Sequence, residues 1–277
     1  MSQGASRCLQ QLDVFFRATQ RGRKAGYLMR TLENAVAVVT GGSRGIGRAI
    51  AEELAADGSI VVVNYSKSKG QAEELVENLL KNGAKGAVAI QADVSDPDQA
   101  IKLMEETIKR FGRIDLLVNN AGINIDRSLK NMSVQDWRTV IETDLSSYFY
   151  TIKAALNYFM QQKSGAIINM SSIAGQIGNF GQANYAATKA GILGLTKTAA
   201  IELARYNVTV HAISPGPVET EMWDTVPKEG KEAIIKKIPA GRPAHIKEIA
   251  RAVHYLYEDG EYLTGTVLDI NGGWYSA

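Results

Sequence analysis

The run AVAVVTGGSRGIG (residues 35–47) decides the fold. Its first six residues are small or β-branched and uncharged, which suits a strand buried on both faces of a parallel sheet. The second half sets Gly41, Gly45 and Gly47 where that strand turns into a helix. Glycines there allow a tight turn and let a pyrophosphate approach the N–H groups of a helix N-terminus. Ser43, Arg44 and Ile46 stand between them as further contacts for such a ligand. The same letters also spell G-x-S-x-G around Ser43, the nucleophile elbow of a hydrolase. A hydrolase would need a later acid and histidine, and Gly47 would then have no role.

Six more apolar runs follow: SIVVVNY (59–65), GAVAIQA (86–92), IDLLVNN (114–120), AIINMS (166–171), VTVHAIS (208–214) and GTVLDI (265–270). Amphipathic stretches near 46–57, 68–82, 97–111, 134–161 and 183–206 separate most of them. This alternation predicts an α/β fold, a doubly wound parallel sheet of about seven strands with helices on both faces and right-handed crossovers. Residues 31–277 are expected to form that single domain, with residues 1–30 a disordered or processed extension. The longest irregular stretch is predicted at 215–243, and long loops beside a sheet edge are usually functional.

Of 277 residues, 45% are hydrophobic, enough for a core that needs no disulfide or metal staple. Cys8 is the only cysteine, so no intrachain disulfide can form, which fits a reducing compartment. His211, His245 and His254 are scattered without metal-ligand spacing, and no metal is expected. Of 31 basic and 29 acidic residues, six basic and one acidic fall within residues 1–30. The body is therefore mildly acidic and lacks a basic stripe, which argues against a nucleic-acid partner. No apolar run reaches membrane-spanning length, so no membrane partner is expected. Residues 1–28 are Arg-rich and acid-poor, with Leu9, Leu12, Phe15 and Phe16 at roughly helical spacing. They read as an extension ahead of a start at Met29, giving a cytoplasmic protein, or as a transit peptide to the mitochondrial matrix.

The chemistry sits in NMSSIAGQIGNFGQANYAATKAG (169–191). Tyr185 and Lys189 are four apart, on one face of a helix, and can address one small site. A phenol has an ordinary pKa of roughly 10. A nearby ammonium favours the phenolate, so Lys189 is expected to lower the pKa of Tyr185. Ser172 would add a second hydrogen bond to the same substrate oxygen. Tyr65 and Lys69 repeat the spacing, but no serine stands at the matching distance. Cofactor choice is legible after the second strand, where enzymes that use NAD carry an acid for the ribose 2′-hydroxyl. Here that strand ends in Asn64, Tyr65, Ser66 and Lys67, with no acid before Glu73, and Tyr65, Ser66 and Lys67 are expected to contact the cofactor. Arg44 and Lys67 can straddle a 2′-phosphate, with Ser66 donating a hydrogen bond, so NADP(H) is the expected cofactor.

TGGSRGIG (40–47), NNAG (119–122), Ser172, Tyr185, Lys189 and SPG (214–216), in this order, resemble the short-chain dehydrogenase/reductase family over residues 31–277. Within it, VVVNYSKS, GQANYAATKAG, SPGPVETEM and the terminal INGG look most like the 3-oxoacyl-thioester reductases. The resemblance implies a Rossmann-type sheet and hydride transfer from NADPH to a ketone, with Ser172, Tyr185 and Lys189 catalytic. Asp93 would meet the adenine amino group and Val94 its ring. Asn119 would brace the sheet and the adenine ribose, and Asn120, Ala121 and Gly122 would border the cofactor. Pro215, Gly216, Val218 and Thr220 would position the nicotinamide. The family usually has an asparagine at a proton-relay position where this chain has Asp144, which is expected to support catalysis with an altered pH profile.

Gln176, Phe180 and Gln182 lie between Ser172 and Tyr185, and Trp223 lies on the irregular segment; all four are expected to line the substrate pocket. Resembling acyl-carrier-protein (ACP) reductases often carry arginines at the positions of Ala166 and Tyr206, and their absence here favours a CoA thioester over ACP. A homotetramer is implied by the family. Reduction of another alcohol–ketone pair, such as a sugar or steroid, and catalytically silent nucleotide binding are the other readings.

Overall fold

Strand β1 (Val36–Val39) divides its side chains between two cores, Ala37 and Val39 facing one and Val36 and Val38 the other. That division follows from the two-residue period of a strand. It explains why the run reads as continuously apolar. In the computed structural model, which describes residues 30–276, the same pattern holds across β2 (Ile60–Tyr65), β3 (Gly86–Gln91), β4 (Leu116–Asn119), β5 (Gly165–Met170) and β6 (Val208–Pro215), while the edge strand β7 (Val267–Ile270) packs Leu268 and Ile270 against the first core only. All pairings are parallel, in the order β3-β2-β1-β4-β5-β6-β7. The order reverses between β1 and β4, and such a reversal opens a crevice at the carboxyl ends of the strands.

The helices are α1 (Gly45–Ala56), α2 (Lys69–Lys81), α3 (Pro97–Phe111), α4 (Val134–Ile141), α5 (Ser147–Gln162), α6 (Ala174–Ile177), α7 (Ala183–Leu203), α8 (Glu221–Asp224), α9 (Lys228–Ile235) and α10 (Ile246–Glu258). Helices α1, α2 and α10 cover one face through Ile50, Leu54, Leu75, Leu79, Ile249 and Val253. Helices α3, α5 and α7 cover the other through Leu103, Met104, Ile152, Phe159 and Leu203. Thr31–Ala277 is one compact unit. The expectation for residues 1–28 lies outside the described residues. Among those described, no helix is long and apolar enough to cross a membrane.

Three elements differ from the sequence expectation. The stretch predicted as one helix over 134–161 is broken by a π-helical turn at Glu142–Ser146. The 215–243 stretch contains two short helices, α8 and α9. Helix α10 was not anticipated, although His245 and Glu248 form a reciprocal capping box at its start. His254 on α10 stands 3.1 Å from carboxylates of both Asp57 and Glu258, so this histidine is not isolated.

A buried polar chain locks the centre of the sheet to the helices behind it. Asn119 on β4 donates to Asn169 Oδ1 on β5 at 2.9 Å and accepts from the Thr151 hydroxyl of α5 at 2.6 Å. Asn169 in turn donates to Thr196 on α7 at 2.9 Å. Truncating Asn119 would orphan the buried Asn169 Oδ1 acceptor, whereas the Thr151 hydroxyl keeps the Ser147 and Tyr148 carbonyls, each at 3.0 Å. Asn119→Ala should therefore lower stability by about 1–3 kcal/mol, read as a lower urea midpoint with an unchanged slope.

Candidate active site

The strand-to-helix turn is built by hydrogen bonds that leave its own N-terminal groups open. Gly41 (φ 59°) and Gly45 (φ 53°) take left-handed conformations that disfavour a side chain. Asn120 Nδ2 donates to the carbonyls of Thr40 (3.0 Å) and Gly41 (3.2 Å). The Thr40 hydroxyl accepts from the N–H groups of Asn120 (2.9 Å) and Ala121 (3.0 Å). Gly47 must lack a side chain, since a Cβ there would lie 2.4 Å from the Gly41 carbonyl oxygen and 2.6 Å from Asn120 Nδ2. Arg44 at the N-cap of α1 makes no capping bond, and no acid lies in the first turn. The positive end of that helix is thus open to an anion.

The rest of the crevice has a similar shape. A Cβ on Gly122 would lie 2.9 Å from Asp144 Oδ2, and one on Gly216 would lie 3.0 Å from Asn271 Cα. Backbone therefore forms its walls, and the arrangement fits a dinucleotide. Arg44, Ser66 and Lys67 are exposed beside the turn. Ser43 is buried, its hydroxyl 2.8 Å from that of Ser68. Ile46 is half-buried against the core. Asp93 accepts from the Ser95 hydroxyl (2.6 Å) and N–H (3.1 Å), and Val94 is buried beside it. Pro215 ends β6, and Val218 is held to Ala244 in a parallel bridge. Thr220 Oγ1 accepts from the Trp223 N–H at 3.4 Å, at the start of α8.

Two proposed cofactor contacts need correction. The Asn119 side chain is wholly buried within the polar chain described above, so a ribose contact is closed to it. Tyr65 is buried in the core beneath α1 and α2, so its ring packs there. The Tyr65 and Lys69 pair is likewise no site: Lys69 begins α2 and reaches Glu73 at 3.7 Å on the surface.

The residues expected to react meet where α6 packs on α7. A Cβ on Gly175 would fall 2.5 Å from the Lys189 carbonyl carbon, so glycine permits this close approach. Ser172, just before α6, accepts from the Ala174 N–H at 3.2 Å, and its hydroxyl favours ionisation of the nearby phenol of Tyr185, in the first turn of α7. Lys189 is buried, and its Nζ donates to the Met170 carbonyl at 3.0 Å. That ammonium lies 5.3 Å from the Tyr185 ring centroid, 5.4 Å from that of Tyr148 and 3.7 Å from Asp144 Oδ2. Asp144 is wholly buried, and its Oδ1 accepts from the Ile123 N–H at 2.8 Å.

Burial dominates the proton affinities here. It pushes Tyr185 up to about 12, with the Asp144 charge adding to the rise and the Ser172 hydroxyl opposing it. Burial and the Asp144 charge thus outweigh the acidifying effect expected of Lys189. Burial also pushes Asp144 up and Lys189 down, each toward its neutral form, with their mutual attraction opposing both changes.

The expected substrate residues do not converge. Both ends of the Gln176 amide are engaged, donating to Asp269 (2.9 Å) and accepting from Ser214 (3.1 Å), so Gln176 braces β6 and β7. Phe180 is 89% exposed. Gln182 donates to the Asp126 carboxylate at 3.1 and 3.2 Å, at the mouth of the site. Trp223 lies on α8 under Lys231, whose Nζ is 5.7 Å from its ring. The sequence reading missed Tyr148, although it stands four residues after Asp144 at helical spacing.

The model of the short chain dehydrogenase family matches residues 35–231. The chain belongs to that family, a class of oxidoreductases that work with a nicotinamide dinucleotide. It is 47% identical over 240 residues to the 3-oxoacyl-(acyl-carrier-protein) reductase FabG of Staphylococcus aureus, covering 86% of this chain and 97% of that one. A 3-oxoacyl-(acyl-carrier-protein) reductase of Synechocystis is 44% identical over 247 residues, covering 88% and 98%. The FabG reductase of Haemophilus influenzae is 41% identical over 245 residues, covering 88% and 99%.

The close packing at Gly47 gives a direct check of the crevice. Gly47→Ala must push α1 away from the turn, an overpacking cost of about 1–3 kcal/mol. Affinity for the reduced nicotinamide dinucleotide, measured by fluorescence titration, should weaken about tenfold in that variant.

Proposed function

We infer that the chain reduces a 3-oxoacyl thioester to the 3-hydroxyacyl thioester, with NADPH as reductant and the acyl group carried on ACP. The observation that carries this is buried Lys189 with its ammonium 5.3 Å from the Tyr185 ring, beside Ser172 and at the edge of a glycine-lined crevice. Near-full-length similarity to three ACP-thioester reductases supports the substrate class. NADPH, when bound, supplies the hydride. The Ser172 and Tyr185 hydroxyls hydrogen-bond the ketone oxygen, where negative charge grows in the transition state. Tyr185 then gives that oxygen its proton. A phenol held near 12 keeps its proton throughout the neutral range, as a donor must. Lys189 places its charge beneath the Tyr185 ring and is itself fixed by Met170 and Asp144.

The preference for a CoA carrier gains no support from these relatives, all three of which are named for ACP. Its premise also weakens, because Ala166 is wholly buried within β5 and cannot report on a docking surface. The choice of NADPH rests on exposed Arg44 and Lys67 and on the missing acid after β2. The homotetramer remains part of this proposal, with Phe149 on α5 and Ile201 on α7 exposed and apolar. So does a cytoplasmic site of action, with the mitochondrial matrix as its alternative.

Tyr185→Phe removes the donated proton and should lower kcat by about a hundredfold to ten-thousandfold. NADPH binding should persist in that variant; preserved turnover would refute the role. NADPH oxidation should be faster with acetoacetyl-ACP than with acetoacetyl-CoA at equal concentration, and the reverse order would reinstate CoA. The double change Arg44→Ala with Lys67→Ala should raise the KM for NADPH at least about tenfold, through loss of charge-assisted hydrogen bonds, and leave that for NADH nearly unchanged.

A further inference from the structure

Asp144 sits at the centre of the π-helical turn Glu142–Ser146 that interrupts the helix over the site. Single π-turns inside helices often mark functional positions. Here the carboxylate comes within 3.7 Å of the Lys189 ammonium, and the two side chains are 0% and 5% exposed. Its Oδ1 is occupied by the Ile123 N–H, while its Oδ2, facing Lys189, has no hydrogen-bond partner among the described residues. Water does not screen charges in such a place, so each one acts strongly on its neighbours.

The Tyr185 ring lies 5.3 Å from the same ammonium. Asp144, Lys189 and Tyr185 therefore form one cluster whose protons leave jointly, with apparent pKa values that belong to the cluster. Two other titratable groups face it. Tyr148, from α5, lies 5.4 Å from Lys189 Nζ, and burial pushes its own proton loss far into the alkaline range. Asp126, on the loop after β4, adds an exposed negative charge near Tyr185.

We propose that Asp144 is a positioning residue that fixes the ammonium of Lys189 and supplies the negative charge against which the Tyr185–Lys189 pair must release its first proton. Asp144 thereby sets the alkaline limit of the reaction. This rests on the reading of Tyr185 as the proton donor. The sign is fixed by electrostatics. Removing a negative charge loosens every neighbouring proton, so the first proton leaves at lower pH whichever partner gives it up. The upward push on Tyr185 and its Asp144 component run in the same direction.

Asp144→Asn keeps the shape and the acceptor for Ile123 but deletes the charge. In this variant the alkaline fall of kcat/KM for NADPH-dependent reduction should move to lower pH by about one unit or more. A second readout needs no turnover: tyrosinate absorbance titrated with and without Tyr185→Phe, so that the difference reports Tyr185 alone. Wild type should show no Tyr185 ionisation below pH 10, on the order of two units under its raised value. Asp144→Asn should show either that ionisation or, if Lys189 deprotonates first, only the earlier fall in rate. Asp144→Ser, which also lacks the charge, replaces it if the asparagine variant does not fold. Rate and absorbance profiles that superimpose on those of wild type would overturn the proposal. Absence of thioester reduction in wild type would instead sink the function. The absorbance difference and an NMR titration of Lys189 Nζ would then decide the role of Asp144, with Tyr185 and Lys189 both unmoved counting against it.

Discussion

One buried ammonium organises the site. Lys189 carries its charge where almost no water reaches, and such a charge is costly unless it is paired and hydrogen-bonded. It gains a carbonyl from Met170, a carboxylate from Asp144 and the ring faces of Tyr148 and Tyr185. These groups belong to β5, the π-turn, α5 and α7. The site therefore exists only when a central strand and the broken helix close on α7. The Asn119–Asn169–Thr196 chain runs between the same elements and holds them in register.

Competition among three effects sets the character of the phenol. A cation beside Tyr185 favours its ionised form. Burial and the Asp144 carboxylate oppose that, and they prevail, carrying the group to about 12. Much of the lysine's field is cancelled by the carboxylate 3.7 Å from it. The outcome suits donation to an oxygen that gains charge as hydride arrives, since the growing alkoxide is a stronger base than the phenolate. Running the reaction backwards requires Tyr185 to begin without its proton, which costs more as its affinity rises. Ser172 moderates the effect, its hydroxyl favouring ionisation of the phenol.

Much of the fold was legible because its signals are local. Continuous β-branched runs located all seven strands, and alternation with amphipathic stretches gave the layering. The Gly41–Gly47 turn was legible because a positive φ and a 2.4 Å approach admit little but glycine. Helix α10 also carried a readable stripe, Ile246, Ile249, Ala250, Val253, Leu256 and Tyr257, together with its capping box. The π-turn was hidden, because nothing in VIETDLSSYF distinguishes a bulged helix from a regular one. Side-chain direction was hidden as well. Gln176 and Phe180 lie between Ser172 and Tyr185 in the chain, yet one braces the sheet and the other stands in solvent. The sign of the tyrosine shift depends on burial, which spacing along a helix does not reveal.

The account turns on a phenol that stays protonated in its buried setting. The most direct measurement is a 13C NMR titration of the wild-type protein labelled at tyrosine Cζ, with Tyr185 assigned by its loss in Tyr185→Phe. The account predicts a Tyr185 resonance that keeps its phenol position through pH 9, at least about one unit below the ordinary midpoint of a tyrosine. A downfield shift with a midpoint below pH 8 would contradict it.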